Sequence, residues 1–307
     1  MAELRFDNRV AVITGAGRGL GRAYALLLAA RGAKVVVNDP GVSLKGDGTN
    51  TNPAQEVVEE IVAAGGEAFA CTASVATPEG ADAIIQTAND TWGRIDVLIH
   101  NAGNVRYGTI AELSLDDFNA VLDVHLKGGF YLVRAAFPHM AAAKYGRVVL
   151  TSSCSGLYGS QTTVNYGMSK AGLMGLNNVT ALEGGEHGIK SNTIVPAAVT
   201  RMADGLDTSA YPPMDPELVA PMVAWLAHED CAVSGEHYIA AAGRMARAFT
   251  TETKGVFRPE WSIDDVAAQI DGIRDPEGER WTFPPYPSGM MDHLGQSFAW
   301  AHQERGK

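Results

Sequence analysis

Tyr166 and Lys170 stand four residues apart in "NYGMSK". In a helix that spacing sets a weak acid and a cation on one face, one turn apart. A free phenol titrates at about pH 10 and is a poor base at neutrality. An ammonium one turn away favours the phenolate, which makes the pair a candidate for acid–base chemistry. Packing is the competing reading, because tyrosine and lysine stems routinely lie side by side. The spacing alone leaves both readings open.

The surrounding elements must position this pair. Apolar, β-branched runs alternate with segments of helical period. Strands are expected at "RVAVITGA" (9–16), "AKVVVND" (33–39), "EAFACTASV" (67–75), "RIDVLIHNAG" (94–103), "GRVVLTSS" (146–153), "KSNTIVPAAV" (190–199) and "GEHYIAAAG" (235–243). Helices are expected between them, one opening on Pro53, one starting at Ser114, and one carrying Tyr166 and Lys170 toward Glu186. Strand–helix alternation implies right-handed crossovers and a parallel sheet covered on both faces. The expected fold is α/β, a doubly wound seven-stranded parallel sheet of the Rossmann type. It occupies residues 1–245, with a C-terminal extension over 246–307 that packs on the domain or on a dimer partner. Two long loops, 40–52 and 200–215, follow strand ends, where ligand sites form in such sheets. The "KGDGTN" of the first has too few acidic ligands for calcium, and no metal site is expected.

The first strand runs into "TGAGRGLG". This is T-G-x-x-x-G-x-G, using Gly15, Gly19 and Gly21, and not G-x-G-x-x-G, because Leu20 stands where a third glycine would. Glycines here allow a sharp turn and close approach to a pyrophosphate, and the next helix points free N–H groups at that anion. A plain tight turn is the alternative. Asp39 ends the second strand at the spacing where an acid meets an adenosine ribose. A carboxylate there accepts from both ribose hydroxyls and repels a 2′-phosphate, which favours NAD over NADP. Arg18, in the glycine loop, argues the other way, and a turn acid before Pro40 is a further reading of Asp39.

Gly15, Gly19 and Gly21, "NAG" at 101–103, Ser153, and Tyr166 with Lys170 come in an order that resembles the short-chain dehydrogenase/reductase family over roughly the first 245 residues. A serine thirteen positions before the tyrosine matches that family's spacing. Within the family, "RFDNRVAVITGAGRGLGRAYALLLAARGAKVVVND" and "SSCSGLYG" resemble the (3R)-hydroxyacyl-CoA dehydrogenase units of multifunctional enzymes. The resemblance implies that Tyr166 takes the substrate hydroxyl proton while hydride leaves for NAD. It implies that Ser153 holds the substrate oxygen and that Lys170 holds the nicotinamide ribose. Gly15, Arg18, Gly19, Leu20, Asp39, Ser74, Val75, Asn101, Ala102, Gly103, Pro196 and Thr200 would line the cofactor, and Tyr158 would join Ser153 and Tyr166 around the substrate. Some positions depart from the common pattern. His100 replaces an asparagine in "HNAG", and Ser74 follows alanine where Asp-Val is common. Ala197 follows Pro196 where glycine is common. His125 stands where many members have an asparagine that supports a water chain behind the lysine. It either fills that role as a fourth catalytic residue or caps a kinked helix. The implied activity is NAD-linked oxidation of a secondary alcohol, best a (3R)-3-hydroxyacyl-CoA. A hydroxysteroid or other lipophilic alcohol is the alternative substrate, and a non-catalytic nucleotide sensor the alternative of another class.

The 307 residues carry a formal charge of -11, which argues against nucleic acid or an anionic membrane as partner. No N-terminal signal pattern, transmembrane run or peroxisomal C-terminal tripeptide is visible, so a cytoplasmic location is expected. The three cysteines make no metal spacing and read as reduced thiols, with Cys154 a small buried filler. Trp281, Phe283, Tyr286, Phe298 and Trp300 are too many aromatics for a free tail. The extension is expected to be ordered, with little period across "RWTFPPYPSGMMDHLGQSFAWA", and to help form a homodimer or homotetramer.

Overall fold

The computed structural model describes residues 3–42, 52–199 and 211–306. The chain divides into two compact units, Met1–Arg247 and Ala248–Lys307.

In the first unit the strands are β1 (Val10–Thr14), β2 (Lys34–Asn38), β3 (Glu67–Cys71), β4 (Val97–His100), β5 (Gly146–Thr151), β6 (Ile189–Ala197), β7 (His237–Ala241) and β8 (Arg244–Ala248). The helices are α1 (Gly19–Ala30), α2 (Pro53–Ala63), α3 (Pro78–Trp92), α4 (Leu115–Leu122), α5 (Gly128–Ala143), α6 (Cys154–Tyr158), α7 (Val164–Gly184) and α8 (Ala220–Ala227). The sheet order is β3-β2-β1-β4-β5-β6-β7-β8, with every pairing from β3 to β7 parallel. The order reverses between β1 and β4, the switch point at which such sheets bind ligands.

The seven expected parallel strands are all present, and among the described residues the sheet gains an eighth strand. The eighth, β8, joins β7 through only Ala242 and Gly243, both at positive φ (49° and 80°). Two residues cannot make a parallel crossover, so this is an antiparallel hairpin at the sheet edge. Alanine is an unusual residue for that turn, which is why the sequence pattern did not announce it.

The central strands feed two cores. Ala11, Ile13, Val35, Val37, Val97 and Ile99 face the side packed by α1, α2 and α8. Val10, Val12, Val36 and Leu98 face α3, α5 and α7. The near-continuous apolar runs follow from burial on both faces, and each fully buried Val, Leu or Ile contributes about 1.5–3 kcal/mol relative to exposure. Local signals set the helix starts. Asn52 accepts from the Gln55 N–H ahead of Pro53, Thr77 accepts from the Gly80 N–H ahead of Pro78, and Ser114 accepts from the Asp117 N–H. The helix expected from Ser114 is interrupted. One π-turn, Asp123–Lys127, separates α4 from α5 and carries His125.

The second unit holds α9 (Ile263–Ile273), α10 (Gly289–Arg305) and the antiparallel pair β9 (Glu252–Thr253) with β10 (Arg280–Trp281). Ser262 and Asp265 form a capping box at the start of α9. Trp281 is buried, with the Trp300 ring edge-on at 5.5 Å and Phe283 at 6.4 Å. The aromatics thus order this segment by packing on one another. α10 goes beyond the expectation of little helical period, because it carries polar residues around most of its circumference.

Candidate active site

The carboxyl ends of β1, β4 and β5 bring the expected residues together. Past β1, Gly15 and Gly19 adopt positive φ (62° and 53°). A Cβ on Gly15 would lie 2.8 Å from the Ala102 Cα, and one on Gly21 only 2.2 Å from the Gly15 carbonyl oxygen. The loop is therefore tight, and only glycine lets α1 start so close to β4. Arg18 precedes α1 without capping it, and the first turn of α1 holds no acidic residue. The helix N-terminus is left electropositive, with Leu20 in its first turn. Asp39 is buried just past β2, its Oδ2 accepting from the Gly17 N–H at 3.1 Å and its Oδ1 from the Gly41 N–H at 2.8 Å.

Asn101 bolts β4 to this loop. Its Nδ2 donates to the Thr14 and Gly15 carbonyls at 3.3 and 3.1 Å. The Asn101 and Ala102 backbone N–H groups both donate to the Thr14 hydroxyl oxygen at 3.1 Å. Gly103 lies against the His125 ring, where a Cβ would come within 2.4 Å of Cε1. His125 in turn meets the Tyr166 ring edge-on, centroids 5.3 Å apart. A continuous path of contacts therefore runs from the glycine loop to Tyr166.

Ser153 begins α6, its hydroxyl accepting from the Ser155 N–H at 3.2 Å. It also hydrogen-bonds the Tyr166 phenol. Lys170 is 3 % exposed, donates to the Thr151 carbonyl at 2.6 Å, and holds its Nζ 5.4 Å from the Tyr166 ring centroid. Burial pushes the Tyr166 phenol up, against the Ser153 hydrogen bond. Burial also brings the Lys170 ammonium down to about 7. In the protein by itself, desolvation thus outweighs the help that the lysine was expected to give the phenolate. His125 is held neutral, well below its ordinary value, by burial and then by Lys170. Its Nε2 lies 3.1 Å from the Asn104 N and 2.9 Å from the Asn104 carbonyl oxygen, while its Nδ1 is buried without a partner among the described residues.

Other expected positions scatter more widely. Ser74 is exposed just past β3, its hydroxyl accepting from the Ala76 N–H, and Val75 is buried beside it. Pro196 lies in β6 opposite Ala240. Tyr158 closes α6 and is exposed. Thr200 and most of both long loops lie outside the described residues. Cys154 is exposed at the start of α6, so its expected burial is corrected. The turn after Ser153 directs the next side chain outward from the sheet. Thr14, Asn104 and Thr151 had no part in the expected site. They act through backbone and hydroxyl contacts that leave no spacing in the sequence.

The sequence pattern of the short chain dehydrogenase family matches residues 9–209. The chain belongs to this family. It is 48 % identical over 275 residues to peroxisomal multifunctional enzyme type 2 of Drosophila melanogaster, covering 89 % of this chain and 45 % of that one. The full-length structure of that enzyme superposes with a TM-score of 0.81 at 37 % identity, over 98 % of this chain and 50 % of the other. A short chain dehydrogenase from Mycobacterium avium gives 0.77 at 40 % identity, over 89 % and 98 % of the two chains. A 3-oxoacyl-[acyl-carrier-protein] reductase of Synechocystis is 36 % identical over 247 residues, 77 % of this chain and 97 % of that one. The chain thus spans about half the length of the multifunctional relative and nearly the whole of the shorter ones. As a short-chain dehydrogenase it is an oxidoreductase acting on CH–OH groups, and the family binds NAD or NADP. The bare glycine loop and the uncapped α1 terminus suit the pyrophosphate of such a dinucleotide. No helix among the described residues is long and apolar enough to cross a membrane.

Proposed function

We propose that the chain is a NAD-dependent dehydrogenase interconverting (3R)-3-hydroxyacyl-CoA and 3-oxoacyl-CoA thioesters. The observation that carries the reading is the cluster of half-buried Ser153 and Tyr166 with buried Lys170, linked through His125 and Gly103 to the glycine loop. NAD, when bound, supplies the hydride acceptor. The backbone of Gly15, Arg18, Gly19 and Leu20 would hold its pyrophosphate, Asp39 its adenosine ribose, Ser74 and Val75 its adenine. Asn101, Ala102, Gly103, Pro196 and Thr200 would lie along the rest, with Lys170 on the nicotinamide ribose. Tyr166 removes the substrate hydroxyl proton, and Ser153 hydrogen-bonds the same oxygen as its charge changes. His125 backs the tyrosine ring as a fourth member of the cluster.

The thioester is supported by the 3-oxoacyl chemistry in the name of the Synechocystis relative and by an apolar rim. Tyr107, Ile110 and Tyr158 are all exposed, and a bridge from Gly108 to Thr163 joins the loop that carries the first two to the segment between α6 and α7. An acyl chain would cover that surface. Turnover of (3R)- and (3S)-3-hydroxyacyl-CoA thioesters with NAD tests the reading. Oxidation of steroid or alicyclic alcohols without oxidation of either thioester overturns it.

Asp39 supports NAD, because its carboxylate is fixed by two backbone N–H groups and cannot swing away from a 2′-phosphate. We expect kcat/KM for NAD to exceed that for NADP at least tenfold, about 1.4 kcal/mol. Equal efficiencies would mean that Arg18 neutralises the phosphate.

The chain is further proposed to be a homodimer or homotetramer in which the extension takes part. Met168, Val179 and Leu182 leave an apolar stripe exposed on α7, and the extension adds exposed Phe298, Met290 and Met291. Truncation after Ala248 is expected to lower the mass state in light scattering and to raise the thioester KM. An unchanged mass and KM would reject that role. A reducing compartment, the cytoplasm being the simplest, suits the three free cysteines.

A further inference from the structure

His100 stands where the family commonly has asparagine, and nothing in the proposed reaction uses it. It is fully buried at the end of β4, and its two ring nitrogens reach in opposite directions. Nδ1 lies 3.0 Å from the Thr14 hydroxyl oxygen on β1. Nε2 lies 2.9 Å from the backbone carbonyl oxygen of His125 in the π-turn.

Hydrogen-bond accounting fixes the proton. A threonine hydroxyl has two acceptor sites and one donor. The N–H groups of Asn101 and Ala102 fill both acceptor sites of Thr14. The single O–H must therefore be donated to His100 Nδ1, which is an acceptor. In a neutral imidazole the proton then sits on Nε2, where a carbonyl oxygen waits to receive it. Every polar atom of this small chain is satisfied in one way only. Protonating Nδ1 would set two donors against each other at Thr14 and break the arrangement.

We propose that His100, locked as the Nε2–H tautomer, is a positioning residue that ties the end of β1 to the π-turn and so holds the His125 ring against Tyr166. The surrounding steric design agrees. A Cβ on Gly129, in the first turn of α5, would sit 3.1 Å from His100 Cδ2 and 2.7 Å from Leu173 Cδ2, so glycine lets the helix close over the imidazole. A Cβ on Gly103 would strike the His125 ring that the π-turn presents. A π-turn widens the helix by one residue and leaves carbonyls without their regular partners. His100 supplies such a partner for the carbonyl of the residue whose side chain meets Tyr166. An asparagine is shorter by one bond than the imidazole on its path to Nε2, so it does not span both partners. The titratable groups facing His100 are Lys170 and His125, and burial together with Lys170 keeps His100 down to about 4.

This inference rests on Tyr166 as the acid–base group, and its first test does not need turnover. Long-range proton–nitrogen spectra of protein labelled with ¹⁵N-histidine, with His100→Gln identifying the signal, are expected to show a neutral Nε2–H imidazole from pH 8 to pH 5. A proton on Nδ1, or a titration above pH 6, overturns the proposal whatever the substrate is. For the kinetic arm, glutamine keeps a nitrogen donor the same number of bonds from Cβ, and leucine keeps only bulk. His100→Leu is expected to lose more than threefold in kcat, with the cofactor Kd shifted less than that, and His100→Gln to recover at least half of the loss. A folded leucine variant within threefold of wild-type kcat, or a glutamine variant no better than leucine, overturns the positioning role. Should the leucine variant fail to fold, the tautomer still decides, and His100→Asn takes the place of leucine: an asparagine variant with the same kcat as the glutamine variant overturns the positioning role.

Discussion

Tyr166→Phe is expected to abolish turnover while the cofactor still binds. The substitution removes one oxygen and little volume. The ring keeps its edge contact with His125 at 5.3 Å and its place one turn before Lys170. What goes is the group that receives the substrate proton, together with the partner of the Ser153 hydroxyl. General acid–base groups contribute about 10²–10⁴-fold, so a loss of at least about a hundredfold in kcat is the expected scale, with the cofactor Kd nearly unchanged. The pH dependence has a defined sign. Burial raises the phenol, so the base form is scarce at neutral pH. Alcohol oxidation is expected to rise as pH rises. Ketone reduction, which needs the protonated phenol, is expected to hold at neutral pH and fall at alkaline pH. A phenylalanine variant with more than a tenth of the wild-type kcat would sink the mechanism.

Lys170→Met is expected to change activity and stability in opposite directions. The ammonium is buried, and among the described residues no carboxylate lies against it; its hydrogen-bond partner is the Thr151 carbonyl. Its folded value is about 7 against an ordinary 10.5. Between these values the unfolded chain holds a proton that the folded chain has lost, so stability rises with pH across that window. Below about pH 7 both states hold the proton, and the folded state bears the full cost of a buried charge. Methionine is of similar length and removes that cost, leaving only the Thr151 carbonyl without its donor. In the cofactor-free protein the variant is expected to be at least as stable as wild type at pH 6, and to lose the rise in stability between pH 7 and pH 10. Turnover is expected to fall by about two orders of magnitude, because Tyr166 loses the neighbouring cation. Urea unfolding across that pH range, with kinetics on the same preparations, reads both effects. A variant that keeps the wild-type slope would show that Lys170 does not titrate in this window. Such a cost retained at a buried position is the usual trade between stability and a working site.

Much of this protein was legible along the chain. Strand–helix alternation, the two-sided burial of the central strands and the glycine loop after β1 are local features of short runs. Asp39 at the end of β2 and Lys170 one turn after Tyr166 are likewise fixed by element and spacing, and the structure buries both. Ser153 could be tied to Tyr166 through resemblance, and the fold brings the two within hydrogen-bond reach.

Other features depend on partners far apart in sequence. The β7–β8 hairpin turns on Ala242 at positive φ, a residue type that gives no turn signal, and the sheet edge holds it there. The π-turn at His125 interrupts the helix expected from Ser114 and has no spacing signal of its own in the sequence. Cys154 looks like core filler from its apolar type, yet the sharp turn past β5 sets it outside.

The sequence by itself determined the seven parallel strands, the glycine loop and the tyrosine–lysine pair, since each rests on periodicity or on closely spaced neighbours. Only the tertiary structure decided the charge states of that pair and the tautomer of His100. Burial sets the first, and the second follows from a hydroxyl 86 residues away whose lone pairs are already taken. Desolvation and hydrogen-bond saturation are properties of the packed neighbourhood, and no stretch of the chain carries them alone.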